Sequence, residues 1–398
     1  MSASTSFEIP PPDPRLFELL GDEGFGDELF NERQHRSCAY VEIYVVQLAV
    51  RLITELGLAS ALEQPRTVHE LARAQGFVDA FRAPLAWLLA LLADAGVLEV
   101  GEETGNGTDA AAPTYRLAAP LPAVDPDAVR AAALEVDPSY AATYALLDRA
   151  AEAYARIARG EDNAEHALFQ NVSLWIGYFN NANGYYAINN RVAAAAAAPC
   201  VGDGARVLEI GAGLGSATEA LLERLGLRAS AIASYRATEP VAFFRRRAER
   251  TLRARFPELA LQADALDLER PWGEQGVAPG SYDLVWGVNV FHLARRLDDV
   301  LAEARTALAP GGALVVGEGM RPRPHAPVAA EMPFQLLAAY VGVETGPERS
   351  QPGFLTAAQW RAALERTGFA EVTLVPDVER MNAIRPGFYA AGVRGRRV

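Results

Sequence analysis

Two side chains in the C-terminal half can form an acid–base pair. His292 closes the run Asn289-Val-Phe-His292 after one apolar stretch, and Glu318 closes Val315-Val-Gly-Glu318 after another. Open parallel sheets bind ligands just outside the carboxyl ends of their strands, so the two side chains are expected to meet across the mouth of one site. An unperturbed imidazole titrates near about 6.5 and can take a proton near neutral pH. A neighbouring carboxylate fixes its tautomer and stabilises the imidazolium. Such a pair suits an acceptor with a proton of modest acidity: a phenol, an alcohol or an activated C–H. A lone His at a strand end more often caps or packs, and the register with Glu318 favours chemistry.

A second constellation precedes it, Val207-Leu-Glu-Ile-Gly-Ala-Gly-Leu-Gly215. The apolar start fits a buried parallel strand. The glycines let the backbone turn sharply and approach a ligand. Ser216-Ala-Thr-Glu219 then has the Ser-x-x-Glu pattern of a helix start. A dinucleotide fingerprint would read Gly-x-Gly-x-x-Gly and put a pyrophosphate at the helix N-terminus. Here the spacing is Gly-x-Gly-x-Gly, and Glu209 sits two residues before the first glycine. A carboxylate there repels pyrophosphate and suits a ligand carrying an ammonium group, as S-adenosylmethionine does. Glu239, ending the next apolar stretch before Pro240, can accept both ribose hydroxyls. Asp264 and Asp267, after a third strand, compete for an adenine amino group. Ser281 to Asn289 predicts a fourth strand, and the turn Ala309-Pro-Gly-Gly312 feeds a fifth over Ala313 to Val316. Strands and helices thus alternate from about Ala205 onward, which predicts a parallel α/β sheet.

The glycine run resembles motif I of class I S-adenosylmethionine-dependent methyltransferases. Leu266-Asp267-Leu-Glu-Arg270, Pro279-Gly-Ser-Tyr-Asp-Leu-Val285, Asn289-Val-Phe-His292 and Pro310-Gly-Gly312 are similar to the C-methyltransferase domains embedded in polyketide synthases. Leu293-Ala294 follows the His where small-molecule O-methyltransferases usually carry an acid, which favours the carbon-methylating group. Phe354 to Trp360 and Thr367-Gly-Phe369 match both families, so the resemblance spans about 165–398. It implies S-adenosylmethionine as cofactor, with His292 and Glu318 as catalytic dyad. The cofactor set it implies is Glu209, Gly211, Gly213, Gly215, Glu239, Pro240, Asp264, Asp267, Leu268 and Asn289. Trp175, Tyr178, Phe291 and Phe334 are candidates for the substrate.

The first half reads as a different module. Tyr44 to Leu62, Thr67 to Ala72 and Pro84 to Leu92 have helical spacing, and Ala95 to Val100 with Tyr115 to Leu117 predict a hairpin around the Gly/Asp-rich loop 101–113. Three helices and a hairpin make a winged-helix arrangement, resembling the dimerisation domain of small-molecule O-methyltransferases. The expected fold class is a doubly wound Rossmann-like α/β methyltransferase sheet with an N-terminal, mainly helical, winged-helix-like domain. The expected division is an arm over 1–36, a dimerisation domain over 37–120, a helical linker or substrate lid over 121–198 and the cofactor-binding domain over 199–398. Asn and aromatic density in Phe169–Tyr178 and Asn183–Asn190 suggests that part of the linker lines a pocket.

Composition narrows the partners. The chain has 398 residues, a net charge of −13 and no lysine among its 37 basic residues, which excludes a Lys Schiff base and a P-loop. Between Tyr40 and Glu103, four arginines face nine acids, a surface that repels phosphates, so a nucleic-acid partner and an anionic membrane are not expected. Cys38 and Cys200 lack metal spacing, no His-Glu-x-x-His motif exists, and no metal is expected. Asp94 interrupts the longest apolar helix, and the N-terminus carries no basic-plus-apolar leader, so a cytoplasmic homodimeric enzyme is expected. The reading is a methyltransferase acting on an activated carbon of a small natural-product intermediate, free or carrier-bound. O-methylation at the same site is one alternative. A methyltransferase-fold cyclase or carrier-binding scaffold is the alternative of another class.

Overall fold

The computed structural model describes residues 9–25, 29–102 and 112–398. They form two compact units, and the units do not follow the divisions expected from sequence. The first comprises residues 9–11, 32–102, 112–175 and 325–341; the second comprises 12–25, 29–31, 176–324 and 342–398.

Two helices open the chain: α1 (Pro14–Asp22) belongs to the second unit and α2 (Glu32–Glu55) to the first. Tyr44, Val45, Leu48, Leu52 and Ile53 give α2 a fully buried stripe at helical spacing. Strand β1 (Arg66–Thr67) leads into α3 (Val68–Gln75), which starts on a complete capping box between Thr67 and Glu70 and stops at left-handed Gly76. Helix α4 (Arg82–Asp94) buries Leu85, Leu88, Leu89 and Leu92 entirely. The hairpin β2 (Leu98–Glu102) and β3 (Pro113–Leu117) pairs antiparallel, with β1 added beside β3. Most of the loop expected over 101–113 lies outside the described residues. Helices α5 (Pro126–Val136), α6 (Ala141–Ala158) and α7 (Ala164–Phe169) complete the unit's bundle, and the chain leaves it within α8 (Val172–Tyr178). Among the described helices only α2, not the one ending at Asp94, is long and apolar enough to span a bilayer; 56% of that window is buried inside the protein.

The second unit is built on seven strands: β4 (Arg206–Ile210), β5 (Ser234–Thr238), β6 (Leu261–Asp264), β7 (Tyr282–Val288), β8 (Leu308–Met320), β9 (Phe369–Val375) and β10 (Tyr389–Arg397). Their order is β6-β5-β4-β7-β8-β10-β9. The expectation of an all-parallel sheet needs correction, because β10 runs antiparallel to both its neighbours. It returns from β9 through the short helix α15 (Val378–Ile384) rather than through a full crossover. The expected turn at Ala309–Gly312 is a slip within β8: Tyr282 faces Leu308, and Leu284 faces Ala313. Helices α9 (Gly184–Ala197), α10 (Ser216–Leu225), α11 (Ala242–Arg255), α12 (Leu297–Ala307) and α14 (Ala357–Arg366) cover the sheet, while α13 (Ala338–Val341) belongs to the first unit.

Two departures from the expected domains have clear causes. Residues expected in an N-terminal arm bury Leu16, Leu19, Leu20 and Phe25 in the same core as β4, β7 and β8. The end of the expected linker, α9, is part of the sheet unit. Its alanines pack against strand glycines so closely that a Cβ at Gly317 would lie 2.4 Å from the Ala193 Cβ, and one at Gly392 2.3 Å from the Ala196 Cβ. Small residues on both surfaces let helix backbone and sheet meet, which fixes α9 against the carboxyl half of β8.

Candidate active site

The glycine loop joins β4 to α10. Gly211, Gly213 and Gly215 have φ of 65°, 56° and 86°, a region side-chain-bearing residues enter at a cost. Gly215 itself caps α10, so the helix does not begin on the Ser-x-x-Glu pattern: the Ser216 hydroxyl donates to the Phe179 carbonyl at 2.6 Å, and Glu219 pairs with Arg255.

Glu209 lies beneath this loop, wholly buried. Its Oε2 accepts from Thr218 Oγ1 at 2.5 Å and from the Tyr235 hydroxyl at 2.6 Å, and Trp286 Nε1 donates to that hydroxyl at 3.1 Å. Its Oε1 is buried with no donor among the described residues. Burial pushes the carboxyl up to about 7, against the downward pull of its two hydrogen bonds. Glu239, at the end of β5, accepts from the Gly213 amide at 3.1 Å and the Val241 amide at 2.8 Å, and burial raises its carboxyl above the ordinary value. A carboxylate has about four acceptor positions, so lone pairs remain for a diol. Pro240 beside it is exposed.

The two aspartates after β6 separate in role. Asp264 Oδ2 accepts from Arg236 Nε at 3.0 Å and from Gln262, so it anchors Arg236. Asp267 is exposed and caps its own turn at Glu269, and Gln275 clamps that turn through the Asp267 amide and carbonyl. Leu268 packs against the core. Asn289, just past β7, takes φ of 52°, a conformation Asn tolerates better than most residues, and its Oδ1 is buried without a donor among the described residues.

His292 and Glu318 do meet. His292 Nδ1 lies 2.6 Å from Glu318 Oε2, with side chains only 5% and 0% exposed. Glu318 Oε1 accepts from the Val290 and His292 amides at 3.1 and 3.3 Å, so the carboxylate locks the turn as well as the ring. Arg349 donates to the His292 and Ala294 carbonyls from the opposite side. The Phe354 ring stands 4.8 Å from the imidazole centre. A carboxylate can only accept here, so Nδ1 carries the proton and Nε2 presents the lone pair.

The substrate candidates divide. Phe291 is 0% exposed in the core, so it supports the turn from within. Tyr178 packs on Phe179 and Tyr186 in the second unit. Trp175 stacks on Phe169 and touches Phe334 in the first unit. Cys38 is no nucleophile, since burial pushes its thiol up to about 12. Sequence reading missed Tyr235, Thr218, Trp286 and Arg349; their partners are distant in sequence, and only the alternation in β5 and β7 hinted at inward-facing polar groups.

Residues 208–314 match the family model described as a methyltransferase domain. A highly reducing polyketide synthase of Aspergillus carbonarius is 33% identical over 202 residues, 48% of this chain and 8% of that protein. A hybrid PKS-NRPS synthetase of Emericella nidulans is 35% identical over 179 residues, 44% of this chain and 4% of that protein. The chain therefore spans less than a tenth of the curated relatives it matches. Among solved structures, the CurJ carbon methyltransferase superposes with a TM-score of 0.76 at 24% identity, covering 97% of this chain and 96% of that one. The citrinin polyketide synthase CMeT domain gives 0.69 at 18% identity, over 95% and 93%. These likenesses show the fold, and they extend through both units. Orphaned buried acceptors at Glu209 and Asn289 fit a cofactor bearing a cationic amino-acid end. Residues 208–314 thus match a methyltransferase domain, with S-adenosylmethionine as the cofactor such a domain implies, on a fold shared with carbon methyltransferases.

Proposed function

We propose that the protein methylates an activated carbon of a small natural-product intermediate. The buried His292–Glu318 pair at the ends of β7 and β8 carries the reading. S-adenosylmethionine, when bound, supplies a methyl group on a positively charged sulfur. Glu209 and Asn289 face its amino-acid end, Glu239 its ribose and Asp267 its adenine, since Asp264 is committed to Arg236. His292 Nε2 would take the acceptor's C–H proton, freeing the electron pair that would bond the methyl carbon as the methyl–sulfur bond broke, with that bond's electrons staying on sulfur. Glu318 holds the Nδ1–H and stabilises the imidazolium. The remaining contribution is alignment, because the donor is already activated. Likeness to carbon methyltransferases over the whole chain supports carbon over oxygen as acceptor. The occurrence of the relatives' matching segments inside polyketide synthases supports a carrier-bound substrate.

The test is turnover of a 1,3-dicarbonyl acyl thioester, a probe with an acidic C–H. His292→Ala should lower the rate roughly 10²–10⁴-fold, the worth of a positioned base. Its affinity for S-adenosylhomocysteine should stay unchanged. Full activity in that variant would refute the role of His292. Assembly belongs to the same reading: a homodimer through residues of about 10–120, supported by the apolar helices and the excess of acids over arginines between Tyr40 and Glu103. Light scattering should give twice the 42.7 kDa chain mass, and a monomer would remove that part of the proposal.

A further inference from the structure

We infer that Asn190, on α9 and outside the matched methyltransferase segment, accepts a hydrogen bond from the ammonium group of the bound cofactor. The inference rests on S-adenosylmethionine being the ligand, as proposed above. A relay of three groups fixes the polarity of Asn190. The Ser216 main-chain carbonyl can only accept, so Asn181 turns its Nδ2 toward it, at 2.7 Å. Asn181 must then offer Oδ1 to Asn190, whose Nδ2 donates to it at 2.8 Å. Asn190 is left presenting Oδ1 in the other direction. The residue is 0% exposed, and that oxygen has no donor among the described residues. Flipping either amide would bring two acceptors or two donors together, so the orientation follows from the main chain.

The relay also locates the oxygen. It is tied to Ser216, and another orphaned acceptor, Glu209 Oε1, is tied through its carboxylate to Thr218. Both therefore hang on the first turn of α10, immediately after the glycine loop. One helical turn before Asn190 on α9, the Tyr186 phenol lies in the electrostatic field of Glu209, Glu239 and Glu318 together, so this face of α9 looks onto the acids of the site. An acceptor-lined corner with two buried oxygens lacking donors calls for a ligand group with several N–H bonds and positive charge. An ammonium has three donors and no acceptor. Close packing of Ala193 on Gly317 holds α9 still, so the amide is positioned before the ligand arrives.

Calorimetry with two ligands separates this role from a structural one. S-adenosylhomocysteine carries the amino-acid end, and 5′-methylthioadenosine lacks it. Asn190→Ala should weaken the first about ten- to hundredfold, the range for a hydrogen bond to a charged group, and leave the second within about twofold. Asn190→Ser, a smaller change, should fall between wild type and Asn190→Ala, and serves alone if the Ala variant does not fold. Equal loss for both ligands, or no loss for S-adenosylhomocysteine, overturns the inference while leaving the cofactor reading intact. A wild-type protein that binds neither ligand overturns both.

Discussion

Burying the Glu209 carboxylate makes the sheet unit less stable as pH rises, and Glu209→Gln should abolish that dependence. Desolvation lifts the folded carboxyl from 4.5 to about 7. Between those values the folded protein keeps a proton that the unfolded chain has released. Stability therefore falls as pH climbs from about 4.5 to 7 and stays low above. At about 1.4 kcal/mol for each tenfold in proton affinity, the gap is worth about 3 kcal/mol. Glutamine has no charge to bury. It can accept from Thr218 and Tyr235 as Oε2 does, and any change in how its amide N–H groups are partnered in the place of Oε1 is a fixed offset of about 1–3 kcal/mol. The offset does not change with pH, so the slope is the quantity to read. Asp13 and Asp283, whose carboxyls are held low by hydrogen bonds to Arg15 and Arg206, titrate identically in both proteins and cancel in the difference. Native-state hydrogen exchange of β4 and β5 peptides reports the opening free energy of this region. Relative to wild type, the variant should gain about 3 kcal/mol between pH 4.5 and 8. Parallel profiles for the two proteins would refute the buried-charge argument.

Three further outcomes follow from the same geometry. S-adenosylhomocysteine should bind wild type about tenfold more tightly at pH 8 than at pH 6, because a cationic end favours the ionised Glu209, and calorimetry of Glu209→Gln should show no such change. Glu318→Gln should slow turnover less than His292→Ala, since it weakens the hold on the Nδ1–H without removing the base; equal losses in single-turnover kinetics would mean that the ring works only in its ionised setting. At Gly213 an added Cβ would meet nothing nearer than the Gly211 carbonyl at 4.0 Å, yet φ of 56° strains any side chain. Gly213→Ala should thus cost roughly 1–2 kcal/mol of stability and, by filling space beside the loop, most cofactor affinity. Unchanged affinity in calorimetry would mean that the ligand does not lie over this loop.

The meeting of His292 with Glu318 was legible in the sequence because strand ends are marked by short local patterns. Val315-Val-Gly-Glu318 and Asn289-Val-Phe-His292 each announce a strand and its exit, and sheet topology brings the exits together. The glycine loop was legible for the same reason. Glu209 was found, but its isolation from solvent was not, since that depends on Tyr235, Thr218 and Trp286 converging from three elements. The burial of Phe291 was not legible, because an aromatic next to a histidine reads alike whether it faces inward or outward. The reversed β10 was missed because alternation of strands and helices carries no direction for the last strand. The compact units differ from the expected limits where tertiary packing decides: the leucines of α1 and the alanines of α9 join cores whose other members lie far along the chain.

The central claim is carbon methylation with His292 as the base. Its most direct test is incubation with S-adenosylmethionine labelled in the methyl carbon and the 1,3-dicarbonyl thioester probe, followed by NMR of the product. The account predicts a labelled methyl bonded to the carbon between the two carbonyls, formed by wild type and nearly absent with His292→Ala. A label on oxygen, or equal product from both proteins, would contradict it.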